Sequence, residues 1–367
     1  MAMAGKNSLK QIAEKTGLAI STVSQILNGR AYNYSSESTK LRVIQAAQEL
    51  GYQTNFGYKL MKGLKTKTVA ILNSMPQMNT EEYVLELIMR MISEFDQLGY
   101  SAYCSTFSND PEKNLEKIRT LIGRGVEHFV LLGCPYGHEA IINEIEKNEL
   151  SLISNSGNFE RWVSNGAVYG ATAIFRHLKE QTGDNFKLIC QAKDVVSDCS
   201  RLQSLQQVFP HLTLEQIIAD FVFSFPDIEF EVEDYLRLAG QKSYNATREL
   251  LRQFPKIGAI AYMNDVFAIG GGCCLLENGN EHFRKILLYG FNNDHTVWNF
   301  PLPISSVGFC LGKQAELLVR HALLKTPCRE IVYPKLHVRT VNSGPAYPHW
   351  DETIINCTPQ EEKSQLK

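Results

Sequence analysis

The sequence predicts an α/β protein in two parts. A small three-helix head of the helix-turn-helix kind comes first, and a two-lobed body of doubly wound parallel sheets follows. Three observations lead there. In the first fifty-odd positions apolar residues recur at helical spacing, with no strand pattern. From Thr68 onward short apolar runs alternate with amphipathic helices, in two successive series. Charge is also partitioned: residues 1–67 hold ten Lys or Arg against Glu14, Glu37 and Glu49, which is +7, so a chain of net charge −2 leaves −9 for residues 68–367. A basic end on an acidic body suggests a polyanionic partner for that end alone.

The chain has 367 residues, 44% hydrophobic and 21% charged, which is ordinary globular composition with room for two or three domains. The N-terminus "MAMAGKNSLKQ" has no apolar signal region, and no later run is long and uncharged enough to span a bilayer. Nine cysteines lie scattered without a C-x-x-C pair, which reads as reduced thiols in the cytoplasm. The nine histidines show no H-x-x-x-H spacing and no pairing with cysteine, so no metal site is expected.

In the head, Leu9, Ile12 and Ala13 share one face of a first helix. Val23, Ile26 and Leu27 do so on a second, and Val43, Ala47 and Leu50 on a third. Gly17 stops the first helix, Gly29 the second and Gly51 the third, while Ser36 suits the third as N-cap. The polar face of the second helix carries short or amide side chains: Ser21, Thr22, Ser24, Gln25 and Asn28, with Ile20 at its start. Such groups approach phosphates and base edges without burying charge. Residues 55–67, "NFGYKLMKGLKTK", are basic and interrupted by glycine, and on their own read as a flexible tether.

The body reads as "TVAIL" (strand), "EYVLELIMRMISEFDQLGY" (helix), "SAYCSTF" (strand), "EKNLEKIRTLIGRGV" (helix), "HFVLLGC" (strand), "EAIINEIEKNEL" (helix) and "LSLISNS" (strand). A second series runs from "AVYGATAIFRHLKEQ" to "KILLYGF". Parallel sheets of this kind bind ligands beyond the carboxyl ends of their strands, and two lobes can close on a small molecule. The expected boundaries are 1–54 for the head, 55–67 for a hinge, 68–345 for the body, and 346–367 for a polar tail. That tail lacks the leucine heptads of a tetramerising coiled coil, so a homodimer is expected.

"LKQIAEKTGLAISTVSQILNGR" and "SSESTKLRVIQAAQELGYQTN" resemble the DNA-binding head of the LacI/GalR family of bacterial transcriptional regulators, without a gap over about fifty residues. The resemblance implies that Ile20, Ser21 and Gln25 read bases in the major groove. It implies backbone contacts from Ser8, Thr22, Ser24, Asn28, Ser36 and Thr39, with Asn55 in the matched pattern. It also implies that the linker orders into a hinge helix on DNA, with the minor-groove wedge at Met61 and Leu60 adjacent. Lys59 suits phosphates whether the linker is a helix or a tether. Two departures stand out. Ala19 replaces a capping Ser, and Gln25 stands where Arg is common, which favours adenine over guanine.

The body resembles the effector-binding half of the same family, which is similar to periplasmic sugar-binding proteins. The matching segments include "SRLQSLQQVF", "YMNDVFAIG" and "LLYGFNN". Arg201, Asn264 and Asp265 fall at effector-binding positions, Asn292 stands where Asp is usual, and Asn155 lies near another such position. Phe159, Trp162, Phe223 and Trp298 are candidates for stacking on a sugar face, each with core packing as the alternative.

The resulting expectation is a sequence-specific transcriptional regulator of double-stranded operator DNA, controlled by a small carbohydrate-like effector, with no cofactor and no catalytic role. A sugar-binding receptor or sugar-acting enzyme with a vestigial head is the competing reading. The glycine run at 270–272 lacks nucleotide-loop spacing and suits close helix packing, and no G-x-S-x-G or Walker pattern occurs.

Overall fold

The computed structural model describes residues 8–27, 35–52, 60, 63–74, 81–196, 200–228, 235–278, 281–341 and 350–359. It divides into two compact units between Thr66 and Lys67.

The first unit holds α1 (Leu9–Thr16), α2 (Ile20–Leu27) and α3 (Glu37–Glu49). Gly17 ends α1 at φ 66°, and the Leu18 N–H returns to the Ala13 carbonyl, so the turn to α2 takes only a few residues. The Ser36 hydroxyl accepts the Thr39 N–H at 3.3 Å and caps α3. The three helices enclose Ile12, Ala13, Val23, Ile26, Val43, Ala46 and Ala47. Lys15 and Glu49 pair at 2.5 Å across α1 and α3.

In chain order the second unit comprises β1 (Thr68–Asn73), α4 (Glu82–Gln97), β2 (Ser101–Thr106), α5 (Pro111–Gly123), β3 (His128–Leu132), α6 (His138–Lys147), β4 (Ser151–Ser154) and β5 (Trp162–Ser164). Then come α7 (Ala167–Thr182), β6 (Phe186–Gln191), α8 (Ala192–Val196), α9 (Ser200–Val208), α10 (Leu214–Phe221), β7 (Val222–Phe225), α11 (Tyr235–Gln253) and β8 (Ala259–Tyr262). It ends with α12 (Asp265–Glu277), β9 (Leu287–Asn292), α13 (His295–Trp298), β10 (Ile304–Gly308), α14 (Leu311–Leu324), β11 (Arg329–Ile331), β12 (Lys335–Val341) and β13 (Trp350–Asn356).

The strands form two sheets, ordered β11-β5-β4-β3-β1-β2 and β13-β12-β10-β9-β8-β6-β7. Every pairing is parallel except β10 with β12 and β12 with β13. The inner strands β1, β3, β6 and β8 are buried along their whole length, as a sheet covered on both faces requires. Each sheet carries an apolar core on either side. The chain passes between the lobes after β5, after β10 and after β11.

The glycine run in α12 serves helix packing. A Cβ on Gly270 would sit 2.3 Å from the Gly240 carbonyl oxygen of α11, and one on Gly271 would sit 1.9 Å from the Tyr262 hydroxyl. The C-terminal region differs from the expected polar tail. Residues 350–356 pair antiparallel with β12, Trp350 is buried, and Arg339 meets Glu352 at 2.9 Å. The strand was hidden by its composition: an edge strand exposed from Asp351 onward carries no apolar alternation.

Candidate functional site

On α2 the inward residues Val23 and Ile26 are 0% and 8% exposed, whereas Ile20 is 49% exposed and Ser21 and Gln25 also face outward. A single exposed isoleucine is common on protein surfaces. Beside Ser21 and Gln25 it completes a face with one apolar and two hydrogen-bonding groups, the kinds that meet a thymine methyl and base edges. Thr22 and Ser24 flank that face, half-buried. α2 begins without a side-chain cap; the Ala19 carbonyl accepts the Val23 N–H at 3.0 Å.

Ser8 and Ser36 stand at the N-termini of α1 and α3, where backbone N–H groups favour anions. The Ser8 N–H donates to Gln11 at 2.8 Å, and the Ser36 and Thr39 hydroxyls are 2.9 Å apart. Leu60 is helical and 39% exposed. Asn28, Asn55, Lys59 and Met61 lie outside the described residues.

In the body a cavity of about 800 Å³ opens between the lobes. It lies beyond the carboxyl ends of β1, β3 and β4, where Asn73, Gly133 and Asn155 line it. Its described lining combines amides (Asn73, Asn155, Asn158, Asn165, Gln203), hydroxyls (Ser156, Ser164, Ser200), the rings of Tyr83 and Tyr169, and aliphatic Val84, Leu87, Leu132, Val168 and Ile331. None of these side chains carries a charge.

Asn155 is thus at the cavity, its Oδ1 accepting the Gly133 N–H at 2.6 Å. Arg201, Asn264 and Asn292 lie beside it rather than in its lining. Arg201 donates to the Ser200 hydroxyl at 2.9 Å and the Met263 carbonyl at 3.2 Å, with its guanidinium 4.1 Å over the Phe291 ring. Asn264 caps α12 by accepting the Phe267 N–H at 3.0 Å, and its amide donates to Glu81 at 3.3 Å. Glu81 reaches these groups from the first lobe. Burial raises its pKa, against the lowering influence of the Arg201 charge and the Asn264 and Asn292 amides.

Asp265 is fully buried away from the cavity. It accepts the Ser306 hydroxyl at 2.7 Å and the Asp294 N–H at 2.8 Å, which fixes the turn after β9. Burial, reinforced by the Asp294 charge, holds its pKa far above the usual range. The stacking candidates also lie elsewhere. Phe159 is 5% exposed in a core of the first lobe. Trp162 sits in β5, Phe223 packs on a core of the second lobe, and Trp298 lies under the Arg339 guanidinium at 4.8 Å. The rings at the cavity are Tyr83 and Tyr169, and in the sequence neither differs from an ordinary residue of an amphipathic helix.

The lobes touch a second time where Glu82 accepts the His295 N–H at 2.9 Å and pairs with its ring. Asp294 beside it is raised to about 7 by burial first, then by the charges of Glu81 and Glu82. Among the described residues one group offers metal-type donors together: His321, Cys328 and Glu330, within 4.8 Å of one another. Its atoms already bond each other, His321 to Glu330 at 2.7 Å and the Cys328 thiol to Glu330 at 3.6 Å. Burial and then the neighbouring Glu330 push that thiol up to about 11, against the lowering influence of the Arg161 charge. A thiol kept protonated in this way suits a hydrogen-bonded cluster better than a metal site.

An exposed polar helix face on a basic head and a body with a ligand-sized cleft are features of the DNA-binding regulators controlled by small ligands. Comparison with known proteins agrees. Residues 8–55 match the family model for bacterial regulatory proteins of the lacI family. The HTH-type transcriptional repressor PurR of Haemophilus influenzae is 21% identical over 314 residues, 84% of this chain and 88% of that protein. Among solved structures, the lac repressor dimer bound to operator and the anti-inducer ONPF aligns with a TM-score of 0.69 at 15% identity, covering 90% of this chain and 97% of that one. The transcriptional regulator CelR in complex with cellobiose aligns at 0.58 and 19% identity, covering 90% and 98%. Residues 8–55 thus carry the head of the lacI family of bacterial regulatory proteins, and most of the chain is similar to an HTH-type transcriptional repressor. Its body has the periplasmic-binding-protein-like fold.

Proposed function

We propose that this protein is a cytoplasmic repressor that binds an approximately palindromic operator as a homodimer. A small, uncharged, polyhydroxylated effector, a sugar or sugar derivative, controls it from the interlobe cleft. The observation that carries the effector reading is the cavity lining. Amides and hydroxyls both donate and accept, as sugar hydroxyls do, two tyrosine rings suit apolar sugar faces, and no side chain of the described lining carries a charge. The cellobiose bound by the CelR relative supports the same class of ligand.

On DNA, Ile20, Ser21 and Gln25 are the base-reading residues, with Gln25 on the N6/N7 edge of adenine. Ser8, Thr22, Ser24, Asn28, Ser36 and Thr39 hold the backbone, Asn55 and Lys59 add to that hold, and Leu60 with Met61 enters the minor groove.

The test is to titrate the full chain with neutral mono- and disaccharides and to measure operator affinity with and without each. At least one is expected to bind and to change operator affinity, and operator must change that sugar's affinity by the same factor. Absence of any neutral saccharide effect, with a charged metabolite active instead, would contradict the reading.

A further inference from the structure

We propose that Glu81 is the specificity-determining residue of the cleft: an internal carboxylate that fills the polar subsite of Arg201, Asn264 and Asn292 and so reserves the cavity for ligands without negative charge. The inference rests on the cleft being the effector site.

Glu81 stands at the N-cap of α4, a place that favours Ser, Thr, Asp or Asn, and its side chain makes no cap hydrogen bond to that helix. It crosses to the other lobe instead. Its Oε1 accepts the Asn264 amide at 3.3 Å; burial raises its pKa, and the Arg201 charge opposes that rise. An amide pair backed by a guanidinium is the set of donors a ligand carboxylate would seek. Here the chain supplies that carboxylate itself.

The subsite borders the cavity through Ser200, which lines the cavity and accepts from Arg201. Glu82 and Asp294 lie close by, and the His295 ring is paired with Glu82. A second anion at this subsite would meet the Glu81 carboxyl within reach of the Asn264 amide and beside those of Glu82 and Asp294, a repulsive element of the kind that gives specificity. The residue at 292 fits this arrangement. Asp there would set another negative charge against Glu81, whereas Asn offers a donor.

The test uses the full-length protein without effector and formate as the probe, with chloride at matched ionic strength as the reference. Glu81→Ser removes the carboxylate yet leaves a favoured capping residue on α4. Wild-type thermal unfolding is expected to be the same in both salts. In Glu81→Ser, formate is expected to raise the midpoint saturably, by about 3 °C or more, because it binds the folded state only. Adding Arg201→Met should abolish the rise. Glu81→Gln, which keeps the volume filled and the fold intact, should show none. Equal formate responses in wild type and Glu81→Ser, or a rise of the same size in Glu81→Gln, would overturn the proposal. Saccharide binding by the wild type bears on the cleft reading alone, and the formate response bears on Glu81 alone.

Discussion

The head keeps its candidate contacts outside and the body keeps them inside. Ile20, Ser21 and Gln25 lie exposed on one short helix. The cleft residues come from β1, β11, α4, α7, α9, the ends of β3 and β5, and the loops after β3, β4 and β5, and they meet only when two sheets and three crossings are in place. The supporting cores differ in the same sense. The head rests on seven buried residues, three of them alanine, whereas each lobe of the body buries apolar residues on both faces of a sheet. A core of that size leaves the head little reserve, so it should fail first under perturbation.

The largest effect that follows is on the head. Ile12 is 0% exposed at the centre of its core. Ile12→Ala should cost about 2–5 kcal/mol, enough to unfold the head and abolish operator binding while the melting transition of the body stays unchanged. Mobility shift assays and calorimetry on one sample check both halves of the prediction. If the body melts early as well, the two units are not independent.

Gly270→Ala is the converse. A Cβ there would press on the Gly240 backbone, so the substitution should destabilise the body by about 1–3 kcal/mol in denaturant titration. The head's affinity for a single half-site should not change.

Asp294→Asn sharpens the contrast through pH. The folded-state pKa of Asp294, about 7, lies above that of an unfolded aspartate. The unfolded chain therefore releases this proton first as pH rises, and stability falls between about pH 4 and pH 7. The buried Oδ1 of Asp294 has no hydrogen-bond partner, so the ionised form is poorly compensated. Asn should make the body more stable than wild type by about 1–3 kcal/mol at pH 8, with the advantage vanishing near pH 4. A constant difference across that range would show that the carboxyl does not titrate as stated.

Ala19→Ser is expected to have the smallest effect, about 1 kcal/mol of added stability in the head from a restored N-cap on α2, read as a higher melting point of the head.

How much of this was legible in the sequence follows from the same contrast. Helical spacing placed Val23 and Ile26 inside and Gln25 outside, because one helix settles both. Gly17 and Ser36 marked helix ends that the structure bears out in its φ angle and its cap. In the body, alternation gave the order of strands and helices, and Asn155 falls on the cavity. Glu81 and Tyr83 could not be read as site residues, since an acid and an aromatic at the start of an amphipathic helix look like surface and packing. Asp265 was drawn toward the effector by its place beside Asn264. Yet a helix N-terminus sends successive side chains in different directions, and this one turns to Ser306 and the Asp294 backbone. The strand from Trp350 was missed because an edge strand needs no apolar face.

The central claim is that α2 reads a DNA sequence. The most direct measurement is selection of bound sites from a random duplex pool by the full-length protein, followed by affinity for the recovered site against salt. Approximately palindromic sites with adenine at the base opposite Gln25 are expected, with an affinity that falls steeply as salt rises. Recovery of no common sequence, or a site whose preference is unaltered by Gln25→Arg, would contradict the claim.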